Sequence, residues 1–292
     1  MPTSEHSTIT PGLLRDWPLR TGTTDKKDRG TVLVVGGSRA TPGAVLLAGI
    51  AALRAGAGRL QLAVTDSTAT ALSIAVPEAA VIGLPETGSG SVAGDVPKRL
   101  LDLAAQADAV AIGPGLDDID ETESLLRAVL DALPAGAGLV LDAYALGALS
   151  RHPDLLDGRP QRVVLTPNVT EAGYLLGDPG SVGSGDDLTA VATAVAARCH
   201  AVATVYGTVA APDGRVWLEE SGDAGLGTSG SGDVLAGVIA GLLARGADPA
   251  QAACWGTWAH ATSGQRLAPR HGRTGFLARE LLDEVAYTLG TI

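Results

Sequence analysis

Lysine is nearly absent. The 292 residues hold three, Lys26, Lys27 and Lys98, so beyond position 98 no lysine can serve as a base, a Schiff-base former or a phosphate clamp. Cysteine is as scarce: Cys199 and Cys254 alone can build neither a disulfide framework nor a four-ligand zinc site, and both read as small buried thiols in alanine-rich surroundings. Positive charge is outweighed, 21 Lys+Arg against 32 Asp+Glu for a net charge of −11. That balance argues against general affinity for nucleic acid or anionic membrane, which need clustered cations. No apolar run approaches the ~20 uncharged residues of a membrane span. The first 29 residues are polar, carry Pro2, Pro11 and Pro18, and lack the apolar core of a signal peptide. The expectation is a cytoplasmic protein.

Several phosphate and nucleophile motifs are missing too. No Gly-Lys-Ser/Thr exists for a Walker A loop, the first strand is not followed by G-x-G-x-x-G, and there is no G-x-S-x-G elbow, which removes the usual signatures of P-loop, Rossmann dinucleotide and α/β-hydrolase sites. His6, His152, His200, His260 and His271 show no metal-ligand spacing, and each reads as an ordinary surface or core histidine.

What is present is a 46% hydrophobic chain with a repeating pattern. Short β-branched runs at 31–35, 60–64, 110–112, 139–141, 162–165 and 201–205 alternate with helical stretches at 42–55, 96–105, 121–133 and 187–198. Strands alternating with helices predict a parallel sheet covered on both faces. Around Gly207 the pattern changes: Thr208–Ala211 and Arg215–Leu218 flank Pro212-Asp-Gly214, a hairpin signal, and three helices follow. The stretch 178–187 reads as a surface loop. No linker splits the chain, so we expect residues 1–28 as an N-terminal extension and 29–292 as a single domain.

The strongest chemical signal is Gly227-Thr228-Ser229-Gly230-Ser231-Gly232-Asp233, ahead of Val-Leu-Ala-Gly-Val-Ile-Ala. A glycine-rich loop opening a helix exposes amides at the positive end of the helix dipole and so forms an anion site. Asp233 there reads either as an N-cap or as a carboxylate that takes a proton from an attacking hydroxyl beside bound phosphate.

Further segments resemble the ADP/ATP-dependent NAD(P)H-hydrate dehydratase family of the ribokinase-like superfamily. They are Gly30-Thr-Val-Leu-Val-Val-Gly-Gly-Ser38, Pro42-Gly-Ala44, Ala52-Leu-Arg-Ala-Gly-Ala-Gly58, Ala111-Ile-Gly-Pro-Gly-Leu116, Val140-Leu-Asp-Ala143, Leu165-Thr-Pro167 with Glu171, and Gly230-Ser-Gly-Asp-Val-Leu-Ala-Gly237. The resemblance runs in order from about 25 to 290. It implies a ribokinase-like three-layer α/β/α sandwich with a central, mostly parallel sheet. It implies a lyase that restores hydrated NADH or NADPH: ATP or ADP phosphorylates the ring hydroxyl and phosphate is lost. Asp233 would be catalytic. Thr228, Gly230, Ser231, Gly232, Tyr206 and Gly207 would bind nucleotide or phosphate. Ala44, Gly115 and Asn168 would bind the hydrate. Glu171 would hold Mg²⁺ through water. A homo-oligomer is also implied, with no nucleic-acid or membrane partner.

Four positions depart from that family's pattern. Asn168-Val-Thr-Glu171 replaces His-Pro-Gly-Glu, Tyr206-Gly207 replaces Lys-Gly, Tyr144 replaces the second aspartate of Asp-Ala-Asp, and Asp117 replaces a glycine. Asp117-Asp-Ile-Asp-Glu121 itself reads as a solvated helix start. Arg39, Arg54 and Arg270 are candidates, by position only, for the missing cation. Asn-x-x-Glu resembles the vitamin and sugar kinases of the superfamily, so a small-molecule kinase stays open as an alternative. So does a diverged nucleotide-binding protein with weak or no turnover.

Overall fold

The computed structural model describes residues 6–20, 25–157, 162–183, 185–222 and 224–292; parts of the expected extension and of the 178–187 loop lie outside them. The described residues form a ten-stranded sheet. In chain order the strands are β1 His6–Thr8, β2 Thr31–Val35, β3 Arg59–Thr65, β4 Ala79–Leu84, β5 Ala109–Ile112, β6 Gly138–Leu141, β7 Val163–Leu165, β8 Val202–Val205, β9 Thr208–Ala210 and β10 Val216–Leu218. Their order across the sheet is β1-β10-β9-β8-β7-β6-β5-β2-β3-β4. Every neighbouring pair is parallel except β8–β9 and β9–β10.

Both faces of the sheet are buried. Val32 and Val34 of β2 enter one core and Leu33 and Val35 the other, as a period of two requires. One face is covered by α2 (Pro42–Arg54), α9 (Ser231–Ala244), α10 (Pro249–His271) and α11 (Ala278–Leu289). The opposite core takes side chains from α4 (Lys98–Ala104), α5 (Ile119–Ala132), α6 (Tyr144–Arg151), α7 (Val169–Leu176) and α8 (Leu188–Cys199). This is the expected three-layer sandwich. Asp118 caps α5 by accepting from the amides of Asp120 and Glu121, both at 3.1 Å, so the acidic run is a helix start. Cys199 and Cys254 are both buried and free.

Two parts of the sequence reading change. First, the segment before position 29 is no simple appendage. β1 closes one edge of the sheet beside β10, α1 (Pro11–Asp16) buries Leu14 completely, and the carbonyl of Trp17 accepts from Gln251 Nε2 and Trp255 Nε1 at 3.0 and 2.9 Å. Trp17 also stacks on Trp217 with ring centroids 5.8 Å apart. Second, α3 (Asp66–Ala75), β4, α6 and α7 were not predicted. α3 buries only Leu72 and β4 is a half-exposed edge strand, so neither carries a strong apolar period.

The chain leaves β2 toward β3 and β4 on one side and returns to β5 on the other. The crevice between β2 and β5, at the strands' carboxyl ends, is therefore the switch point where open α/β sheets bind ligands.

Candidate active site

The ends of β2, β5, β6, β7 and β8 and the starts of α7 and α9 meet at that edge of the sheet. At the switch point Gly37 N donates to Pro114 O and Ser38 N to Gly115 O, both at 2.8 Å. A Cβ on Gly115 would lie 3.0 Å from Ala44 Cβ and 2.5 Å from Thr41 O. The two small residues expected to face the hydrate, Ala44 and Gly115, are thus brought into contact. One turn further along α2, Leu47 packs against Gly230, where a Cβ would meet Leu47 Cδ1 at 2.5 Å.

Beside this contact lies a cavity of about 700 Å³. Its walls include Asp142, Asn168, Glu171, Tyr206, Gly207, Gly230, Ser231, Gly232 and Asp233. Thr228, Ala44 and Gly115 do not line it; Thr228 instead supplies the carbonyl that takes Ser231 N at 3.2 Å. Gly230 has φ 87° and occupies the cap of α9. Asp233 stands three residues into that helix, and no side chain caps it, so the N-cap reading of Asp233 is replaced by a first-turn carboxyl. Val234 N is taken by Gly230 O at 3.2 Å, while no backbone carbonyl outside α9 accepts from Gly232 or Asp233 among the described residues. Those amides are the orphan donors of a helix start.

The electrostatics are lopsided. Among the described residues five acids line the cavity, Asp142, Glu171, Glu219, Glu220 and Asp233, and no Lys or Arg does. Burial pushes the Asp233 carboxyl up to about 7, and the charge of Asp142 adds to the shift. Burial lifts Glu171 to about 7 against the pull of the Asn168 amide. Asp142 is raised as well by burial, although Thr166 Oγ1 donates to it at 2.7 Å. Each is a carboxyl without a cation. Arg39, Arg54 and Arg270 do not remedy this. They pair with Glu86, Asp283 and Glu284, and none reaches the cavity.

Local rules explain how these side chains are held. Asn168 caps α7: its Oδ1 accepts from Glu171 N and Glu171 Oε2 accepts from Asn168 N, each at 2.9 Å. This capping box gives Asn-x-x-Glu a backbone role. Tyr206 and Gly207, at φ 43° and 90°, form the two-residue turn between β8 and β9, as a primed hairpin turn requires. Tyr206 is 65% exposed at the cavity lip. Gly113 has φ 128°, and a Cβ there would fall 1.8 Å from Asp142 O; only glycine lets the β5 end pass so close. Ala143 takes the unfavourable φ 48° just after Asp142, a strained backbone next to a buried carboxyl.

Sequence reading missed Asp142 and His260 as wall residues. Asp142 follows β6 at the ligand-binding edge, and its signals were that position and its place in the Val140-Leu-Asp-Ala143 segment. His260 sits in α10 and reaches the cavity only through tertiary packing. No three His, Cys, Asp or Glu side chains among the described residues are grouped to hold a metal ion directly.

Comparison with known proteins agrees with the geometry. A family model described as NAD(P)H-hydrate dehydratase matches residues 32–286. The chain is 47% identical over 289 residues to the ADP-dependent (S)-NAD(P)H-hydrate dehydratase of Xanthomonas campestris, covering 95% of this chain and 94% of that one. It is 38% identical to the bifunctional NAD(P)H-hydrate repair enzyme of Moorella thermoacetica, covering 93% of this chain but only about half, 51%, of that longer protein. The solved ADP/ATP-dependent NAD(P)H-hydrate dehydratase of Bacillus subtilis, co-crystallised with ATP/Mg²⁺, superposes with a TM-score of 0.79 at 28% identity, covering 99% of both chains.

Proposed function

The chain belongs to the NAD(P)H-hydrate dehydratase family, and from that premise we propose that it dehydrates hydrated NADH and NADPH with ADP or ATP as phosphoryl donor. The observation that carries the reading is the Asp233 carboxyl, lifted to about 7 and set in the first turn of α9 behind a loop of glycines. A base with a pKa near the working pH is the effective one.

The chemistry needs positioning and charge neutralisation more than covalent help. Asp233 takes the proton of the ring hydroxyl as its oxygen attacks the terminal phosphorus, and AMP or ADP departs. The phosphorylated ring then loses phosphate from carbon and a proton from the adjacent carbon, which restores the ring double bond. The amides of Gly232 and Asp233, with Gly230 giving close approach, meet the equatorial oxygens at the helix start. Gly207 leaves space beside the nucleotide and Tyr206 offers it an aromatic face, while Thr228 shapes the loop. Ala44 and Gly115, both too small to obstruct, admit the dinucleotide at the switch point, and Asn168 lines the neighbouring cavity.

The five acids, with no Lys or Arg among the described lining residues, fit a magnesium ion well, since a polyphosphate would otherwise meet mainly like charge. Glu171 and Asp142 would hold Mg²⁺ through water. It would neutralise the donor phosphates.

The kinase alternative loses its motive, because the capping box accounts for Asn168 and Glu171 through the backbone and both relatives named above are dehydration or repair proteins. No helix among the described residues is long and apolar enough to cross a membrane. We take the protein to act in the cytoplasm as a homo-oligomer forming one domain, with mass measured by light scattering as the check on assembly.

The test is incubation of NADH hydrate with ADP or ATP and Mg²⁺. Recovery of the reduced-ring absorbance is expected with the wild type and not with Asp233→Asn. No recovery above the enzyme-free control sinks the reading. Accumulation of a stable phosphorylated product favours the kinase instead.

A further inference from the structure

The cavity holds one buried titratable group that the proposed chemistry leaves unused. His260, on α10, is only 8% exposed, and Ser231, at the first position of α9, is 3% exposed. His260 Nε2 stands 2.8 Å from Ser231 Oγ and 3.0 Å from Ser231 O.

The carbonyl decides the proton inventory. A carbonyl oxygen only accepts, so Nε2 must carry a hydrogen to meet it. Nε2 therefore donates to both oxygens of Ser231 and cannot receive the hydroxyl hydrogen. Burial holds His260 down at about 4, so the ring is neutral near pH 7. No other side chain among the described residues lies within hydrogen-bond distance of Ser231 Oγ, and Ser231 lines the cavity beside Gly232 and Asp233. Its hydrogen is free for an acceptor that arrives from outside.

Two consequences follow from that inventory. Ser231 and His260 look like a nucleophile–base pair, but with Nε2 donating to the serine, His260 is not set as its base. The same arrangement makes the hydroxyl a donor, which an anionic oxygen demands.

We propose that His260 is a positioning residue that clamps Ser231 through its Nε2–H and so presents the serine hydroxyl hydrogen to the phosphoryl group in transit. The inference rests on the phosphoryl-transfer reading given above. It adds a third donor, set by the tautomer of a residue on another helix, to the two amides of the loop.

The experiment is a double-mutant cycle on the full chain, with steady-state rates for NADH hydrate and ADP, melting temperatures measured alongside. His260→Leu is expected to lower kcat about 10-fold or more with KM for the nucleotide within about threefold, the signature of a contact made chiefly in the transition state. His260→Gln places an amide N–H where Nε2 stood and is expected to restore most of the rate. Ser231→Ala is expected to lose as much as His260→Leu, and the double variant no more than either, because one contact is removed once.

The inference is overturned if His260→Leu folds and keeps its kcat, or if the two losses multiply. If His260→Leu does not fold, the comparison passes to His260→Gln and His260→Asn in the wild-type and Ser231→Ala backgrounds. Asn is too short to span the gap and should fall to the level of Ser231→Ala, whereas equal rates for Gln and Asn overturn the proposal. A wild type that turns over while these variants match it removes the inference alone. A wild type with no turnover removes the proposed function, and the inference with it.

Discussion

At the scale of single residues, the cavity holds carboxyls where a cation is wanted, and their titration gives two predictions. Asp233 must be ionised to act, so activity should rise with pH on the acid side. Asp142→Asn removes the charge that adds to the upward shift of Asp233, and the acid limb of the pH–rate profile should move to lower pH. An unmoved limb would show that Asp142 does not act on the base. Asp233→Asn should cost about 10²–10⁴-fold in kcat, the usual contribution of a general base. The same group writes itself into stability. Asp233 titrates near 7 in the fold and near 4 unfolded, so between those values the folded chain binds more protons and stability falls as pH rises. Glu171 shifts the same way. His260, held at about 4, has the opposite sign, and its contribution is lost as pH falls from about 6.5 toward 4. Without nucleotide, Asp233→Asn should therefore melt higher, relative to the wild type, at pH 8 than at pH 5. A difference that stays flat across that range would contradict the raised carboxyl.

At the scale of elements, two helix contacts determine where the site stands. α9 lies so close on α2 that a Cβ at Gly237 would meet Ala48 O at 2.1 Å and one at Gly241 would meet Ala52 O at 2.5 Å. Gly237→Ala gains about 1 kcal/mol of helix propensity, but overlap with backbone cannot be relieved by rotating a side chain and costs more, about 1–3 kcal/mol or above. The variant should lose net stability in chemical denaturation, against the propensity scale, and should also lose turnover as the phosphate loop shifts. α7 offers the milder case: Asn168→Ala removes the cap on Glu171 N and should cost about 1 kcal/mol, read as a lower denaturation midpoint. Both contacts show how legible the elements are. The run Gly-x-x-x-Gly at 237 and 241 is visible in the sequence, yet its partner is fixed only when α2 is known to lie against it. Asn168-x-x-Glu171 reads in the sequence as a capping signal as well as resembling the superfamily's kinases, and the structure shows the cap.

At the scale of the whole molecule, the chain closes its sheet with its own beginning. β1 covers the β10 edge, and Trp17 covers Trp217 while its carbonyl takes the indole N–H of Trp255. Deleting residues 1–18 should expose a strand edge and two indoles, lower the melting temperature and promote association in size-exclusion chromatography. A truncated chain that melts and elutes like the wild type would restore the view of this segment as an appendage. Sequence reading placed it outside the domain because His6–Thr8 has no apolar alternation; all three residues are exposed, and pairing comes from backbone bonds that no side-chain pattern records.

The sequence by itself determined the parallel α/β class, the three-helix end of the chain, the glycine loop and Asp233 within it, because buried strands and anion loops are written in local composition. It also determined that no lysine beyond position 98 could serve the site. Tertiary structure alone decided that Asp142, Glu171 and Asp233 share one cavity with no cation among the described residues, that Arg39, Arg54 and Arg270 pair elsewhere, and that His260 stands against Ser231. The physical reason is that burial and charge–charge proximity join residues far apart in sequence. A pKa is a property of that neighbourhood, and no window along the chain contains it.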